Sequence, residues 1–329
     1  MKNNYYLTQE GILQREGNTV YFVNKDIKRA LPIEKIYSIY AYKTLTLSAG
    51  VIGLLCQKGI PVHFFGWYGN YEGTLWPKDI LPSGEVIIKQ AEHYIDKEKR
   101  LYLARQFFRG AILNIARNLS YYSNEYPEFK KYLELIQKEE DSMEEYSDIS
   151  QLMGAEGRIR DAYYEALDTI LPEDYKIGFR QKRPPSNKGN ALISFGNGMM
   201  YSTVLTEIYN THLNPTISYL HEPYERRFSL ALDVAEIFKP IIVDRVIMKL
   251  VNKRMLGDEH FDGELGNMRL SDKGRKIFLQ EYNDKLTTTI KHKGLGREVS
   301  YQRLIRLELY KLEQHLIGGR RYRALIMWW

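Results

Sequence analysis

The 329-residue chain has one cysteine, Cys56, so it builds no internal disulfide, and a reducing, intracellular setting is the expectation. Cys56 sits in the apolar run GVIGLLCQKG and reads as a small core residue rather than a nucleophile. No apolar run reaches the length of a transmembrane helix. The opening MKNNYYLTQEGILQREG also lacks the unbroken apolar stretch of a signal peptide, so no membrane partner and a cytoplasmic protein are expected. HExxH and paired CxxC are missing, and no Ser or Cys motif argues for a protein nucleophile. Internal repeats and low-complexity segments are absent too.

What is present points to a folded protein with an anionic partner. Hydrophobic residues make up 44% of the chain, which excludes wholesale disorder, and the length favours two domains or one large one. Tyrosine outnumbers phenylalanine by 26 to 12. Its flat face and polar tip suit nucleic-acid grooves, although ordinary core filling accounts for most copies. The formal net charge is +6. Lys and Arg against Asp and Glu give +3 for residues 1–89, −3 for 90–150 and +6 for 151–329, so the basic surplus lies in the C-terminal half.

Residues 1–86 read as a small β-rich N-terminal domain. TVYFV, IYSIYAY, IPVHFFG and EGTLW are short β-branched and aromatic runs, with hairpin turns expected at EGN and GNYEG. One helix interrupts them, capped by Ser48 and closed by Gly59. From about 87 the apolar spacing becomes helical, and residues 87–329 read as a larger all-α domain, giving an α+β protein. Helices are expected near 87–122, 128–140, 149–171, 190–212, 228–255, 271–290 and 297–317. The acidic stretch 134–150 reads as a solvated helix end, and the C-terminal LIMWW as a segment that docks on the core.

Three helical segments place ionisable groups among apolar residues. In LMGAEGRIRDAYYEAL, helical phasing puts Glu156 beside Leu152, Ala155, Ile159, Ala162 and Ala166. Gly154 and Gly157 flank it, at a cost in helix stability that close approach of a ligand would explain; pairing with a core arginine explains Glu156 equally well. In NPTISYLHEPYERRF, His221 falls in the connection before the next helix. In SLALDVAEIFKPIIVDRV, Asp233 and Glu236 share one side of an apolar helix that Pro240 kinks or restarts. Two such carboxylates need a cation, from Arg226, Arg227 or Arg245, or from a divalent ion. Carboxylate oxygens with one imidazole suit Mg²⁺ or Mn²⁺, so Glu156, His221 and one of Asp233 and Glu236 would make an open three-ligand site. Between these segments, Arg180, Lys182 and Arg183 form a basic turn stiffened by Pro184-Pro185, with Asn190 available to cap the next helix. A basic loop beside a metal site is what a phosphodiester substrate requires.

Taken in order, GAEGRIRDAYYEAL, FRQKRPPSNKGNALISFGNGMMYS and SYLHEPYERRFSLALDVAEIFKPIIVDRV after a β-rich start resemble the CRISPR-associated protein one family, the integrase and nuclease of CRISPR adaptation. The resemblance spans nearly the whole chain. It implies that the N-terminal domain (1–86) pairs two copies into a homodimer, that CRISPR-associated protein two is a partner, and that the helical domain joins DNA 3′-hydroxyl ends to the CRISPR repeat. It also implies a metal site at Glu156, His221 and Glu236 with Asp233 as a fourth acid; both 233 and 236 are acidic here, which leaves the direct ligand open. Arg180, Lys182 and Arg183 are the candidate phosphate contacts, and Lys239 a lesser one. Tyr163 and Tyr164 line the DNA path or pack in the core. Two other readings stand beside this one: a nuclease that uses the same site with water as nucleophile, and a non-catalytic nucleic-acid scaffold whose acids are spent in salt bridges.

Overall fold

The computed structural model describes residues 2–66, 69–78, 81, 83–181, 184–223, 228–263 and 266–328. The β-branched runs form β1 (Asn3–Leu7), β2 (Gly11–Glu16), β3 (Thr19–Val23), β4 (Lys28–Pro32), β5 (Ile36–Ala41) and β6 (Leu45–Leu47), then helix α1 (Ala49–Gln57), β7 (Val62–Phe65) and β8 (Tyr71–Leu75). Two four-stranded sheets result, ordered β1-β5-β7-β8 and β4-β3-β2-β6. The first runs parallel from β1 to β7 and turns back at β8; in the second, β6 lies parallel to β2. As expected, the Ser48 hydroxyl accepts the Val51 N–H at the start of α1, and Gly59 follows its end at φ +65°. Cys56 is half-buried on α1. The β7–β8 turn comes earlier than GNYEG implies: Gly66 N–H donates to Asn70 at 2.9 Å, and Tyr71 to Gly73 already belong to the strand.

Period-two alternation gives the first sheet two different faces. Ile39 and Val62 join Leu13, Phe22, Leu54 and Leu55 in a small core shared with α1 and the second sheet. Tyr40 and Phe65 point the other way and belong to the main core with the helices. Polar side chains tie the same seam. His63 lies between Thr74 Oγ1 (2.8 Å) and Thr206 Oγ1 (2.7 Å). Glu207, 1% exposed, accepts from Tyr37 (2.7 Å), Gln302 (2.8 Å) and Arg306 (2.8 Å). At this seam the rings of Tyr40 and Tyr42 are buried, and the hydroxyls of Tyr37 and Tyr71 are bonded to Glu207 and Thr74.

The helical region follows as α2 (Gly84–Ile95), α3 (Lys97–Tyr122), α4 (Lys130–Asp141), α5 (Ile149–Ile170), α6 (Lys188–Tyr209), α7 (Ser229–Phe238), α8 (Arg245–Asn252), strands β9 (Phe261–Asp262) and β10 (Arg269–Leu270), α9 (Asp272–Thr287), strands β11 (Thr289–Lys291) and β12 (Glu298–Ser300), and α10 (Tyr301–Leu316). The expected order of a β-rich region and then helices is what the chain forms. Among the described residues no helix is long and apolar enough to cross a membrane. The stretch expected as one helix from 87 is two, because the Asp96 carboxylate accepts the N–H groups of Glu98 and Lys99 and starts α3 afresh. Pro240 does not end its helix. Residues Lys239–Asp244 widen into a π-turn between α7 and α8. A proline lacks its own N–H and crowds the carbonyl one turn back, here that of Glu236, and the wider turn relieves both.

The acidic stretch 134–150 is less solvated than its composition suggests. Glu139 is 7% exposed and accepts two bonds from Arg158 (3.1 and 2.8 Å). Glu140 and Glu144 pair with Arg109 (2.8 Å) and Arg105 (2.7 Å) on α3. These arginines come from other helices, which a local reading of charge does not register. The C-terminal segment docks on the core as expected, and Met327 is fully buried. Asn114 on α3 holds it there: its amide donates to Ile237 O and Leu325 O (both 3.0 Å) and its carbonyl accepts the Met327 N–H (2.8 Å). Gly110, one turn earlier, permits this approach, since a Cβ there would lie 2.7 Å from Ala324 Cβ and 3.1 Å from Ile237.

Candidate active site

Two helices bring the predicted acids together. Glu156 projects from α5 with its side chain 20% exposed; Glu236 projects from α7, 9% exposed. One guanidinium lies between them. Arg160 Nε and Nη2 donate to Glu156 Oε1 at 3.1 and 2.9 Å, and Nη2 also donates to Glu236 Oε2. Lys239 donates to the other oxygen of Glu236. Burial pushes the Glu236 carboxyl upward, but Lys239 and Arg160 outweigh it and hold it well below the ordinary carboxylate range. A Cβ at Gly157 would meet nothing within 4 Å, so the helix leaves open space beside Glu156.

Asp233 and His221 form a second pair on the same helix face. Asp233 is fully buried and accepts from the backbone N–H groups of Tyr219 (2.7 Å), Leu220 (3.0 Å) and His221 (2.8 Å). His221 Nδ1 lies 2.9 Å from its Oδ1. The loop is therefore wrapped around one carboxylate, which also fixes the imidazole. Burial pulls the His221 pKa down, and the hydrogen bond and charge of Asp233 overcome that and raise it. Nδ1 is engaged in this way, so Nε2 is the open ring nitrogen, a histidine–carboxylate arrangement familiar behind metal sites. Glu236 and Lys239 also act on this imidazole electrostatically, which places it at the edge of the same cluster.

Glu156 and Glu236 thus meet at one cation, and His221 stands beside Glu236. Among the described residues no three His, Cys, Asp or Glu side chains converge on a single point as they stand. Arg160 occupies the space between the carboxylates instead. Sequence reasoning offered Arg226, Arg227 and Arg245 for that pairing. The first two lie outside the described residues, and Arg245 stacks on Tyr121 at 4.4 Å. The signal for Arg160 was its spacing, four residues after Glu156 and so on the same helix face.

The basic turn is held from behind. Arg180 Nη1 donates to Asn190 Oδ1 (2.8 Å) and its Nη2 to Ser194 (3.0 Å). Asn190 does not cap α6. Asn187 does, accepting the Asn190 N–H at 2.8 Å, and the Asn190 side chain turns back to the loop, bonding Ile177 O and Phe179 O. Lys182 and Arg183 lie outside the described residues. Tyr163 and Tyr164 are both buried, so packing is their use.

Asp244, in the π-turn, is a buried acid that sequence reasoning passed over. Its Oδ2 has no hydrogen-bond partner among the described residues, and burial pushes its pKa up to about 6 against the pull of Arg160. In the folded chain it keeps a proton that the unfolded chain has released above 3.8. The associated stability is present below about pH 4 and lost as pH rises through about 6. In chelator, Asp244→Asn should therefore gain stability over the parent by about 2 kcal/mol between pH 4 and pH 7. Urea titrations of both proteins at the two pH values measure this, and a gap that does not change with pH would contradict it.

A family model described as CRISPR associated protein Cas1 matches residues 5–284. Over 328 residues the chain is 55% identical to the CRISPR-associated protein Cas1 1 of Methanobrevibacter ruminantium, covering 100% of this chain and 99% of that one. It is 54% identical to the CRISPR-associated endonuclease Cas1 of Methanothermobacter thermautotrophicus, covering 100% and 96%. Among solved structures, a CAS1 protein from Thermotoga maritima superposes with a TM-score of 0.89 at 38% identity over 98% of this chain and all of that one. At lower identity the fold is shared with a casposase bound to an integration product (TM-score 0.86, 20% identity, 98% and 92% covered). It is shared as well with a chain of a Cas6-RT-Cas1–Cas2 complex (0.85, 18%, 100% and 36% covered).

Proposed function

The chain belongs to the CRISPR associated protein Cas1 family, and from that premise we propose that it is a metal-dependent DNA endonuclease and integrase that joins the 3′-hydroxyl ends of short DNA pieces to a CRISPR repeat. The observation that carries this reading is the meeting of Glu156 and Glu236 at the single guanidinium of Arg160, with His221 fixed beside them by a buried carboxylate. Relatives named as endonucleases, and the fold shared with a casposase bound to an integration product, agree with it.

The donor set fits Mg²⁺ or Mn²⁺: two hard carboxylates and one imidazole nitrogen, with space beside Glu156. Glu156, Glu236 and His221 are the ligands, and a divalent ion held there would polarise the phosphate and stabilise the entering and departing oxygens. Asp233 takes no direct part. With both oxygens engaged by the 219–221 loop, it holds the Nδ1 proton of His221 and keeps Nε2 free. Arg160 and Lys239, once released from the carboxylates, are cations for the phosphate backbone, and Arg180 adds a third from the neighbouring loop. In joining, the DNA 3′-hydroxyl attacks a backbone phosphate; one ester bond forms, one breaks, and the displaced 3′-oxygen takes up a proton. No protein nucleophile is required. The partners on this reading are DNA, a second copy of the chain paired through the β-rich region, and Cas2, with which a Cas1 chain of the same fold is assembled in a solved complex.

The test is a strand-joining assay with purified protein, a DNA bearing a free 3′-hydroxyl and a supercoiled repeat plasmid, in Mn²⁺, Mg²⁺ or chelator, with and without Cas2. Joined product that depends on the ion is the expected result. Cleavage without joining would assign the site to hydrolysis, the reading that the relatives' name favours. No ion-dependent chemistry under any condition would leave a nucleic-acid scaffold.

A further inference from the structure

Two segments of the C-terminal half carry cations and no acid: HKGLGR (292–297) and GGRRYR (318–323). The first is the turn between β11 and β12; the second leads into the segment docked on α3. The structure lays them side by side, with the His292 ring edge-on to the Trp328 ring at 5.7 Å. Both are held firmly. In the turn, His292 Nδ1 accepts the N–H groups of Gly294 and Leu295 (both 3.1 Å), and the His292 N–H donates to the Arg297 carbonyl at 2.9 Å. Gly296 takes φ +63°, which suits the reversal. In the C-terminal segment, Tyr322 is buried between the exposed Arg321 and Arg323. Glu308 accepts the Tyr322 hydroxyl at 2.7 Å and the Leu325 N–H at 2.9 Å, and Lys311 donates to the Arg323 carbonyl at 2.7 Å. The inward tyrosine thus turns its two arginine neighbours out.

Lys293, Arg297, Arg320 and Arg323 are exposed, and their side chains make no ion pair among the described residues. The acids nearby are engaged elsewhere: Glu298 stands opposite Lys291 across the strand pair, and Glu308 serves the docked segment and Lys311. Like charges gathered on a rigid surface repel one another, and a dense anion relieves them. A duplex backbone is such an anion, with one negative charge per about 1.7 Å of its axis, and it is met by charge alone, without a pocket. This surface is separate from the acidic cluster. On α7, Ile237 meets the docked segment through Asn114 and Ala324, whereas Glu236 meets α5 through Arg160. Joining requires two DNAs at once, one that brings the 3′-hydroxyl and one that offers the phosphate. The end has to enter the acidic cluster; a surface that contacts only backbone charge needs no end.

We propose that the β11–β12 turn and the C-terminal segment form a second nucleic-acid surface, which holds the uninterrupted duplex that receives the joined end. The proposal rests on the joining reading above and adds to it a place for the second DNA. Its first test is binding in chelator, where no chemistry intervenes, to a closed circular plasmid, which has no ends, over a range of salt. Two double variants remove the cations of each segment, Lys293→Gln with Arg297→Gln and Arg320→Gln with Arg323→Gln. A control double, Lys130→Gln with Lys138→Gln, removes two exposed lysines of α4.

Each double in the surface should weaken plasmid binding by about tenfold or more at low salt and lower the slope of log affinity against log salt by about two. The control should change affinity by less than about twofold, and all three should melt with the parent. Equal loss in the control, loss in only one of the two segments, or loss in neither overturns the surface. Strand joining in Mn²⁺ then assigns the DNA. Both doubles should raise the KM for the plasmid by about tenfold, with kcat and the KM for the short 3′-hydroxyl DNA within about twofold of the parent. A rise in the KM for the short DNA instead overturns the assignment to the receiving duplex. Joining by the parent with unchanged plasmid binding in the doubles would remove this surface alone. Weaker plasmid binding in the doubles, with no joining by the parent, would support a duplex surface and remove the integrase.

Discussion

Glu156→Gln should lose ion-dependent strand joining by about a thousandfold or more while the protein stays folded. The magnitude follows from removing one of two carboxylates that hold a divalent ion. Charge stabilisation by such an ion is worth several kcal/mol, and each 1.36 kcal/mol is a factor of about ten. The fold should survive because Glu156 is the more exposed acid of the two and Arg160 keeps Glu236 as a partner. Single-turnover rates with an excess of protein measure the loss, and circular dichroism melting checks the fold. A rate within about tenfold of the parent would take Glu156 out of the ion's shell. Asp233→Asn makes the contrast. Its carboxylate orients His221 and closes a loop, so the expectation is a drop of about ten- to a hundredfold in Mn²⁺ affinity together with a lower melting point.

The second large effect concerns stability without metal. Arg160 is the guanidinium common to both carboxylates, its side chain 13% exposed. Arg160→Met leaves the buried Glu236 with Lys239 as its ion-pair partner among the described residues, and removing one member of a buried pair costs about 3–5 kcal/mol. In chelator the variant should melt well below the parent. Mn²⁺ should restore much of the difference, because an ion at about a hundred times its dissociation constant adds about 2.7 kcal/mol. Calorimetry should also show tighter Mn²⁺ binding by the variant, since the parent has to displace a guanidinium first. Equal affinities, or no loss of stability in chelator, would show that arginine and ion do not compete for the same place.

Much of this was legible in the sequence because its signals are local. The helical period, the Ser48 cap and the apolar stripe around Glu156 depend on neighbours a turn away, and the chain realises each of them. What escaped depends on contacts between distant segments. Glu236 and Arg160 are 76 residues apart, and nothing near residue 236 announces that its cation comes from α5. The same holds for Glu139, which reads as a surface acid until Arg158 is placed over it. Asn190 was misread for a different reason: two asparagines three apart can each cap a helix, and geometry alone shows that Asn187 does so and Asn190 anchors the loop. Strands β11 and β12 escaped because two three-residue strands carry too little pattern to be seen.

The docked segment around Met327 has a consequence for the order in which the protein becomes complete. Asn114 binds that segment with the same amide that it offers to Ile237, the residue after Glu236, and Ala324 fills the gap that Gly110 leaves beside Ile237. Translation produces α3 and α7 long before it reaches residue 327. Until residues 324–327 have been made, a nascent chain therefore carries Glu236 on a helix without its brace, and the acidic cluster gains its final support only once that strap is in place.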